Sequence, residues 1–355
     1  MDRQYNIGVI GATGITGQKI VQALCVRGYS VLIGGRDHKA LQRMSSVFGD
    51  ACVAQPVDLT SRESLLDFLQ RVPVVIQCVG PFVRWGLPIV DAAIEAKTHV
   101  VDISGEQAYA LACMQNFHTL ALDAGVCIVN GAAVEGGVAD ALATQICKNR
   151  KLRPRNITVL TKMRGVLPSP ASIASFAGVL HGPMWDLRGG ILQEKEFGYR
   201  QERCRGPEGK RRRGLWIPGI ETILISRHLP ARNVGSFFDV SGFPRVLLAK
   251  FAARLLHDSP ERVIEILAKL MPRWLPVGAP SFSITVTVEG DLETTPGKCA
   301  SRSETLVGLD PYVATARIAM TVAEHLCQKG EAESHGIVSP AMVVSAEALV
   351  AAALS

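Results

Sequence analysis

The sequence predicts an α/β protein with an N-terminal, doubly wound parallel sheet, followed by an α+β domain and by C-terminal helices that pack back on the first domain. Three observations carry this prediction. Strand and helix patterns alternate through the first 130 residues. A glycine-rich turn follows the first strand. From about residue 131, longer strands with alternating apolar residues take over. These changes divide the chain into residues 1–130, 131–307 and 308–355.

The first segment is predicted to contain six strands, the number in a full dinucleotide-binding sheet. Apolar runs place the strands at 5–10, 30–34, 51–55, 73–78, 98–103 and 125–130. Helical periodicity places the intervening helices near 14–27, 37–47, 61–70, 86–96 and 106–123.

The turn after the first strand reads "GATGITG", with three glycines spaced three residues apart. Such glycines allow a tight turn, a close approach of backbone to pyrophosphate, and close packing of helix on strand, while the helix N-terminus offers N–H groups to the phosphates. An ordinary βα turn is the alternative, but the position between a strand and a helix favours a dinucleotide site. The residues predicted to bind cofactor here are Gly11, Thr13, Gly14, Ile15, Thr16 and Gly17.

The second strand ends in "GGR", where an NAD-binding chain often carries an acid. A guanidinium at this position suits the 2′-phosphate of NADP, and Gly35 leaves room for the phosphorylated ribose. Arg36 therefore predicts NADP(H), with Lys39 as a second positive charge. The alternative is that Arg36 is solvated and that Asp37 is the ribose ligand.

The loops after strands three and four lie at the carboxyl edge of the sheet, where ligands bind. Asp58 follows strand three, where it either touches the adenine or caps the next helix. After strand four, Val79, Gly80 and Pro81 form a rigid turn suited to the nicotinamide ribose.

Several side chains are candidates for managing the proton that accompanies hydride transfer. Asp102 and Glu106 follow strand five, where they could orient substrate or cofactor, although Glu106 could simply favour the N-terminus of its own helix. No Tyr-x-x-x-Lys pair lies in a helix beyond this strand, which argues against a short-chain dehydrogenase relay. The proton-donor candidates are Glu106, Glu135, Asp140, Lys162 and His181. For His181, a position on a surface loop is favoured over one that faces an apolar pocket.

The second segment is read as a one-sided sheet with few helices. Predicted strands are "NITVLTKMRG", "ETILISRHL", "NVGSFFDVSG", "SFSITVTVEGD" and "KCASRSETLVG", and helices are predicted near 172–181 and 244–271. Two segments of the tail, "DPYVATARIAMTVAEHLCQKG" and "SPAMVVSAEALVAAAL", are predicted to be helical.

Composition limits the classes of partner. The net charge of +6 is concentrated in "KNRKLRPR" and "GKRRRG", runs that are typical of solvated loops, and no aromatic-interleaved stripe favours nucleic acid. The nine cysteines form no zinc-spaced cluster, so no metal site is predicted. Their odd number, with no signal peptide and no apolar run of membrane-spanning length, predicts a cytoplasmic protein. The sequence leaves open whether the protein forms a homodimer.

Together, "GATGITG", "GGR", "CVGPF" with "VDAAIEAKTHVVDISGE", and "GLDPYVATARIAMTVAEHL" resemble the saccharopine dehydrogenase-like oxidoreductases, a group that includes trans-acting enoyl reductases. The resemblance is strongest over residues 5–107 and returns at 308–345. It implies a Rossmann domain that binds NADP, an inserted substrate domain, and hydride transfer to or from a C=N, C=C or C=O bond. The segments "NGAAVEGGVAD" and "RGVLPSPASIAS" depart from the family pattern and are expected to line the substrate pocket.

Three functions follow from these observations. The first is an NADPH-dependent reductase of a largely apolar small-molecule or carrier-bound substrate, since few charges lie around residues 165–185. The second is an amino-acid-type imine reductase or dehydrogenase closer to saccharopine chemistry. The third is a non-catalytic NADP-binding or lipid-associated scaffold, suggested by the basic amphipathic stretch at 245–258. Such a stretch is more often a helix packed on the core with its basic residues outward.

Overall fold

The computed structural model describes residues 4–166, 168–240, 279–295, 297–328 and 334–354. The helix predicted near 244–271 and the basic stretch at 245–258 lie outside the described residues. Two sheets organise the described part, the first parallel and the second mixed.

The first sheet has the strand order β15-β6-β5-β4-β1-β2-β3, in which all neighbours are parallel. Its strands are β1 Ile7–Ile10, β2 Val31–Gly35, β3 Cys52–Pro56, β4 Val74–Gln77, β5 His99–Asp102, β6 Cys127–Val129 and β15 Gly336–Val338. The connecting helices are α1 Ile15–Val26, α2 His38–Phe48, α3 Arg62–Leu69, α4 Phe82–Glu95 and α5 Gln107–Asp123. The predicted doubly wound sheet is confirmed, and α4 begins four residues before its predicted start.

A seventh strand, β15, joins the sheet from the C-terminal segment and pairs with β6. The sequence analysis missed it because three residues are too few to establish a period. The tail also supplies α9 Pro311–Gln328, α10 Pro340–Val343 and α11 Ala346–Leu354. Helix α9 packs on α1, so the prediction that the C-terminal helices return to the first domain is confirmed.

Helix α6, Val134–Arg150, connects the two sheets and was not predicted. Its residues from Gly136 to Ala143 are all buried, so this part of the helix has no polar face and no 3.6-residue alternation. Added Cβ atoms would lie 3.0 Å from Leu224 at Gly136 and 3.0 Å from Ile318 at Gly137. These glycines let neighbouring helices approach α6 closely.

The second sheet follows the order β10-β11-β12-β7-β13-β14, with β8 and β9 branching from β12. Its strands are β7 Leu152–Arg164, β8 Trp185–Arg188, β9 Ile191–Glu194, β10 Gln201–Arg205, β11 Arg211–Trp216, β12 Asn233–Asp239, β13 Ser281–Leu292 and β14 Cys299–Gly308. Helix α7, Pro170–His181, lies where a helix was predicted. Strands β8 to β11 were not predicted.

The predicted strand "ETILISRHL" is wrong, because Glu221–Ser226 forms a short helix, α8. Its β-branched residues gave a strand-like composition, but the helix is buried from Glu221 to Ile225 and packs against α6. Tertiary packing decides whether such a short apolar run forms a helix or a strand. Among the described helices, none combines the length and apolar composition that a membrane crossing requires.

Candidate active site

The glycine turn lies at the carboxyl end of β1, between β2 and β4, where the strand order reverses. Gly11 has a φ of +84°, and its N–H donates to the Gly34 carbonyl at 2.9 Å. A Cβ on Gly17 would lie 2.3 Å from the Gly11 carbonyl oxygen. The turn therefore accepts only glycine at position 17 without displacement of α1.

The N-terminus of α1 is open to an anion. Gly14 occupies the N-cap and has no side chain to cap the helix, and the first turn contains no acidic residue. The N–H groups of the first helical turn have no carbonyl partner within the helix and carry the positive end of its dipole. These features fit the pyrophosphate of a dinucleotide.

Arg36 follows β2 directly and is exposed. Its neighbour Asp37 is the N-cap of α2 and accepts a hydrogen bond from the Ala40 N–H at 3.0 Å. Asp37 therefore has a structural partner, whereas no carboxylate of the described residues pairs with Arg36 in an ion pair. Gly35 has no atom closer than 3.8 Å to an added Cβ, so space exists beside Arg36.

Asp58 does not cap the helix that follows it. Ser61 is the N-cap of α3, and Asp58 instead accepts hydrogen bonds from the Thr60 N–H and hydroxyl, at 2.9 and 2.7 Å. These bonds hold the pKa of the Asp58 carboxyl below its usual range. The helix-cap alternative is thus wrong, and the adenine contact stays a prediction.

The turn after β4 faces helix α7 across the cleft. The Gly80–Pro81 peptide is cis, and Val79 contacts Gly11 so closely that a Cβ there would lie 2.8 Å from Val79 Cγ2. A Cβ on Gly80 would lie 2.6 Å from Ser175 Oγ of α7. Val79, Gly80 and Pro81 therefore connect the glycine turn to the second domain.

Glu106 caps the neighbouring helix α4 rather than its own. Its Oε1 accepts from the Phe82 N–H and its Oε2 from the Val83 N–H, each at 2.9 Å, and its side chain is 3% exposed. A carboxylate at this position satisfies two unpaired N–H groups and complements the helix dipole. Glu106 lines the central cavity but holds α4 in place, so we assign it a positioning role.

Asp102 is buried at the end of β5, and its carboxyl is hydrogen-bonded within the protein. It is fully buried, accepts from the Ser104 and Gly131 N–H groups at 3.0 and 2.9 Å, and accepts from the Asn130 amide at 2.8 Å. Burial raises the pKa of Asp102, while these three hydrogen bonds oppose the rise. The carboxyl fixes the end of β5 against the end of β6.

A cavity of about 750 Å³ lies between the two sheets. The first domain contributes the start of α1 and the loops after β4, β5 and β6. These residues include Gly14, Ile15, Thr16, Gly17, Gly80, Glu106, Ala133, Val134 and Glu135. The second domain contributes one face of its sheet, helix α7 and the loop before α8. These residues include Thr161, Met163, Gly165, Ser175, Phe176, Phe197, Leu215, Phe238, Val240 and Glu221.

The cavity wall is largely apolar, and within the described part of the chain no lysine, arginine or histidine lines it. Both segments expected to line the pocket do so: Gly165 to Ser175 include several lining residues, as do Ala133 to Glu135. A charged substrate group, such as a carboxylate, would enter the part of the cavity beside the second sheet without a cationic partner among those residues, which is costly.

Glu221 is the titratable group that the sequence analysis missed. It lines the cavity, is 2% exposed, and accepts a hydrogen bond from the Ser236 hydroxyl. The pKa of Glu221 is raised to about 7, chiefly by burial; the hydrogen bond from the Ser236 hydroxyl opposes the rise, and the charge of Glu135 adds to it. Burial also raises the pKa of Glu135, which lines the same cavity. A carboxyl that titrates near neutral pH is suited to general acid catalysis.

The backbone around Glu221 is held against the first domain by Gln107, the first residue of α5. The Gln107 amide donates to the carbonyls of Trp185 and Gly219, at 2.9 and 3.0 Å, and its oxygen accepts from the Trp185 N–H at 2.9 Å. Gly219 passes so close to the carboxyl that a Cβ would lie 2.4 Å from both Glu221 oxygens.

Three predicted proton donors lie outside the cavity. Asp140 is fully buried in α6, where it contacts His228 Nε2 at 2.6 Å and accepts from the Ala341 N–H at 2.9 Å. Lys162 alternates with Thr161 and Met163 on β7, so it points to the opposite face of the sheet and pairs with Asp239 at 2.9 Å. His181 ends α7 and is exposed.

The raised pKa of Glu221 predicts a pH-dependent effect on stability. Because the folded protein binds this proton more tightly than the unfolded chain, the stabilisation is complete below about pH 4.5 and is lost as pH rises through about 7. Glutamine mimics the neutral acid, so the stability of Glu221→Gln relative to the natural protein should increase by about 2.5 kcal/mol between pH 5 and pH 8. Urea unfolding of both proteins at both pH values measures this, and a pH-independent difference would contradict it.

Comparison with known proteins bears on the first domain most directly. Residues 7–129 match the saccharopine dehydrogenase NADP binding domain, over the segment that carries the glycine turn, Arg36 and the Gly-Pro turn. The chain is similar to that family over about a third of its length. The match covers strands β1 to β6 and helices α1 to α5, and it ends at β6, before α6 and the second sheet begin.

Relatives and solved structures extend this finding. The chain is 27% identical over 198 residues to a bovine saccharopine dehydrogenase-like oxidoreductase. The alignment covers 51% of this chain and 42% of that protein. It is 29% identical over 133 residues to a trans-acting enoyl reductase of Mycobacterium tuberculosis, covering 36% and 32% of the two chains. The chain thus matches less than half the length of either relative.

A structure of saccharopine dehydrogenase (L-Glu forming) from Saccharomyces cerevisiae aligns over 98% of this chain and 96% of its own, with a TM-score of 0.66 and 14% identity. The likeness shows that the whole fold, including the second sheet, is shared.

Proposed function

We propose that this protein is an NADPH-dependent reductase that adds hydride and a proton across a C=C, C=N or C=O bond of a largely apolar substrate. The observation that carries the proposal is the continuous cavity that runs from the N-terminus of α1 to the apolar face of the second sheet. A nicotinamide cofactor and an apolar substrate would meet in this space, away from bulk water.

The residues of the first domain fit the cofactor. The N–H groups at the start of α1 are available to the pyrophosphate, Gly11 and Gly17 keep the turn free of side chains, and Arg36 is available to the 2′-phosphate. Gly80 and Pro81 border the same cleft. When bound, NADPH supplies a hydride to the electron-poor atom of the substrate.

Glu221 is our candidate for the proton donor. Its carboxyl faces the cavity and is protonated over part of the neutral pH range. Transfer of its proton to the atom that gains the electron pair of the double bond leaves a Glu221 carboxylate, which recovers a proton from solvent. Glu135 lies in the same cavity and influences Glu221 through its charge.

The cavity lining argues against amino-acid-type chemistry, the second reading of the sequence. An amino-dicarboxylate would place its negative charges beside Glu135 and Glu221, and the described lining offers them no basic side chain. An uncharged enone, imine or ketone meets no such cost.

The test is titration of NADPH and NADH into the purified protein, with nicotinamide fluorescence as the signal, followed by NADPH oxidation assays with apolar enones, imines and ketones. We expect tighter binding of NADPH and turnover of at least one acceptor class. Binding without turnover of any acceptor would favour a non-catalytic NADP-binding scaffold. Turnover only with amino-acid-derived substrates would contradict the apolar assignment.

Arg36→Glu should invert the cofactor preference, because it replaces the cation with an acid that suits the ribose 2′-OH of NAD. We expect NADPH affinity to fall about ten- to a hundredfold and NADH affinity to be retained. Arg43→Glu, at an exposed position farther along α2, is the matched control and should leave both affinities unchanged. An unchanged NADPH-to-NADH ratio in Arg36→Glu would remove Arg36 from the site.

A further inference from the structure

Four exposed arginines lie on one face of the hairpin formed by β10 and β11. Arg203 is directly opposite Arg213, and Arg205 is directly opposite Arg211. Because side chains two residues apart on a strand share a face, all four project from the same side. We call this set, Arg203, Arg205, Arg211 and Arg213, the arginine face.

The charges of the arginine face are not neutralised within the described residues. The nearest acids along the hairpin have other partners, since Glu202 pairs with Arg200 and Glu208 with Lys210. None of the four arginines forms an ion pair in the described part of the chain. Residues 241–278 bring six basic and three acidic side chains, so their sequence adds no net negative charge.

Like charges placed directly opposite each other destabilise a strand pair. Two such pairs in succession favour an external anionic partner that relieves the repulsion. The hairpin is also the edge of the sheet, where charged side chains discourage strand addition by other chains. Edge protection alone does not require four cations on one face.

The arginine face continues into the wall of the cavity. Along β11, Arg211 and Arg213 alternate with inward residues and are followed on the same side by Leu215, which lines the cavity. The Val240 N–H donates to the Arg213 carbonyl at 3.0 Å, and Val240 also lines the cavity.

An exposed aromatic residue lies on the same side. Phe197 packs on Leu215 and Val240, and its ring centroid lies 6.0 Å from that of Phe176. Phe176 lines the cavity and is 42% exposed, so it marks an opening. It belongs to α7, which has no acidic or basic residue before His181. A cationic face thus adjoins an uncharged, partly apolar helix at the cavity opening.

We propose that the arginine face docks the protein on the surface of an anionic lipid bilayer, with the cavity opening toward the lipid. Lipid phosphates and carboxylates match the cations, and the acyl region matches Phe176 and the uncharged surface of α7. A nucleic acid or an acidic protein would match the arginines but not the adjoining apolar surface. The docking route brings a membrane-dissolved, apolar substrate to the cavity, and in that respect it rests on the proposed function.

Co-sedimentation with vesicles tests the docking without cofactor or substrate. We expect the protein to bind phosphatidylcholine vesicles that contain about a third phosphatidylserine, to ignore pure phosphatidylcholine, and to dissociate as salt is raised. Glutamine at all four positions of the arginine face should weaken binding about a hundredfold or more, because each arginine near such a surface contributes to attraction.

The other basic run of the sequence, "KNRKLRPR" at 148–155, provides a matched control that also removes four exposed charges. The control variant replaces with glutamine the residues Lys148, Arg150, Lys151 and Arg153. It should retain vesicle binding within a few-fold. If the quadruple arginine variant fails to fold, as judged by circular dichroism, the two double variants of the opposed pairs replace it, and each should weaken binding about tenfold or more.

Three results would overturn the docking proposal: a natural protein that stays in the supernatant, equal losses in the arginine and control variants, or displacement from vesicles by short duplex DNA at equal phosphate concentration. None of these depends on reductase activity. A failure of the docking is therefore distinct from a failure of the proposed function, which appears as loss of NADPH binding or turnover in the natural protein.

Discussion

The Glu221→Gln variant is expected to reduce its acceptor about a hundred to ten thousand times more slowly than the natural protein, the range that general acid catalysis contributes. Glutamine keeps the shape of the protonated acid but has no proton to transfer. The measurement is kcat under saturating NADPH with whichever acceptor the screen identifies. Binding of NADPH, measured by fluorescence, should be unchanged, which separates lost chemistry from lost structure.

The pH profile gives a readout that a merely structural role would not move. As a general acid with a pKa of about 7, Glu221 is active when protonated, so kcat/KM of the natural protein should fall as pH rises above about 7. This alkaline limb should disappear in Glu221→Gln. Glu221→Asp, which retains a carboxyl, should restore part of the activity and an alkaline limb in the pH profile of kcat/KM.

Two neighbours of Glu221 should move the limb in opposite directions. Removing the charge of Glu135 in Glu135→Gln lowers the pKa of Glu221, so the limb moves to lower pH. Removing the hydroxyl in Ser236→Ala raises that pKa, so the limb moves to higher pH. Full activity in Glu221→Gln, or a limb that neither neighbour moves, would exclude Glu221 as the proton donor.

The Gly17→Ala variant is expected to lose both stability and cofactor affinity. Its Cβ would lie 2.3 Å from the Gly11 carbonyl oxygen and 2.9 Å from the Ala12 Cα, so α1 must move away from β1. Overpacking of this kind costs about 1–3 kcal/mol of unfolding free energy. The displaced helix N-terminus should also bind NADPH at least about tenfold more weakly, because its N–H groups no longer meet the pyrophosphate.

Gly178→Ala is the matched control for this substitution. Gly178 also lies within a helix, α7, but an added Cβ there has no atom within 4 Å. Alanine favours the helix more than glycine does, so stability should be retained or slightly increased. Calorimetry and NADPH titration of both variants measure the comparison. Equal behaviour of the two variants would mean that the contact at Gly17 does not constrain the turn.

The first domain could be predicted because its information is local. Each buried strand is a short apolar run, each helix has a polar face, and glycines stand where the backbone must turn or approach another segment. The positions of Gly11, Gly17 and Arg36 then follow from the chain order alone, because carboxyl ends of parallel strands meet at one edge.

The candidate proton donor could not be found in the same way. Glu221 lies in a run whose β-branched residues favoured a strand, and only the packing of α8 on α6 turns it into a helix that faces the cavity. Asp140 and Lys162 were chosen by residue type, but burial in α6 and the alternation of β7 direct them elsewhere. Glu106 reaches the cavity, yet both its oxygens are committed to α4.

The sequence by itself determined six of the seven strands of the parallel sheet, because each is a local apolar run. It also determined the glycine turn and the arginine after β2, which lie within the first thirty-six residues. The tertiary structure decided which carboxyl meets the cavity and how its pKa shifts. It also decided that arginines of two strands form a single charged face. Burial and cross-strand pairing depend on contacts between residues distant in sequence, and no local pattern records such contacts.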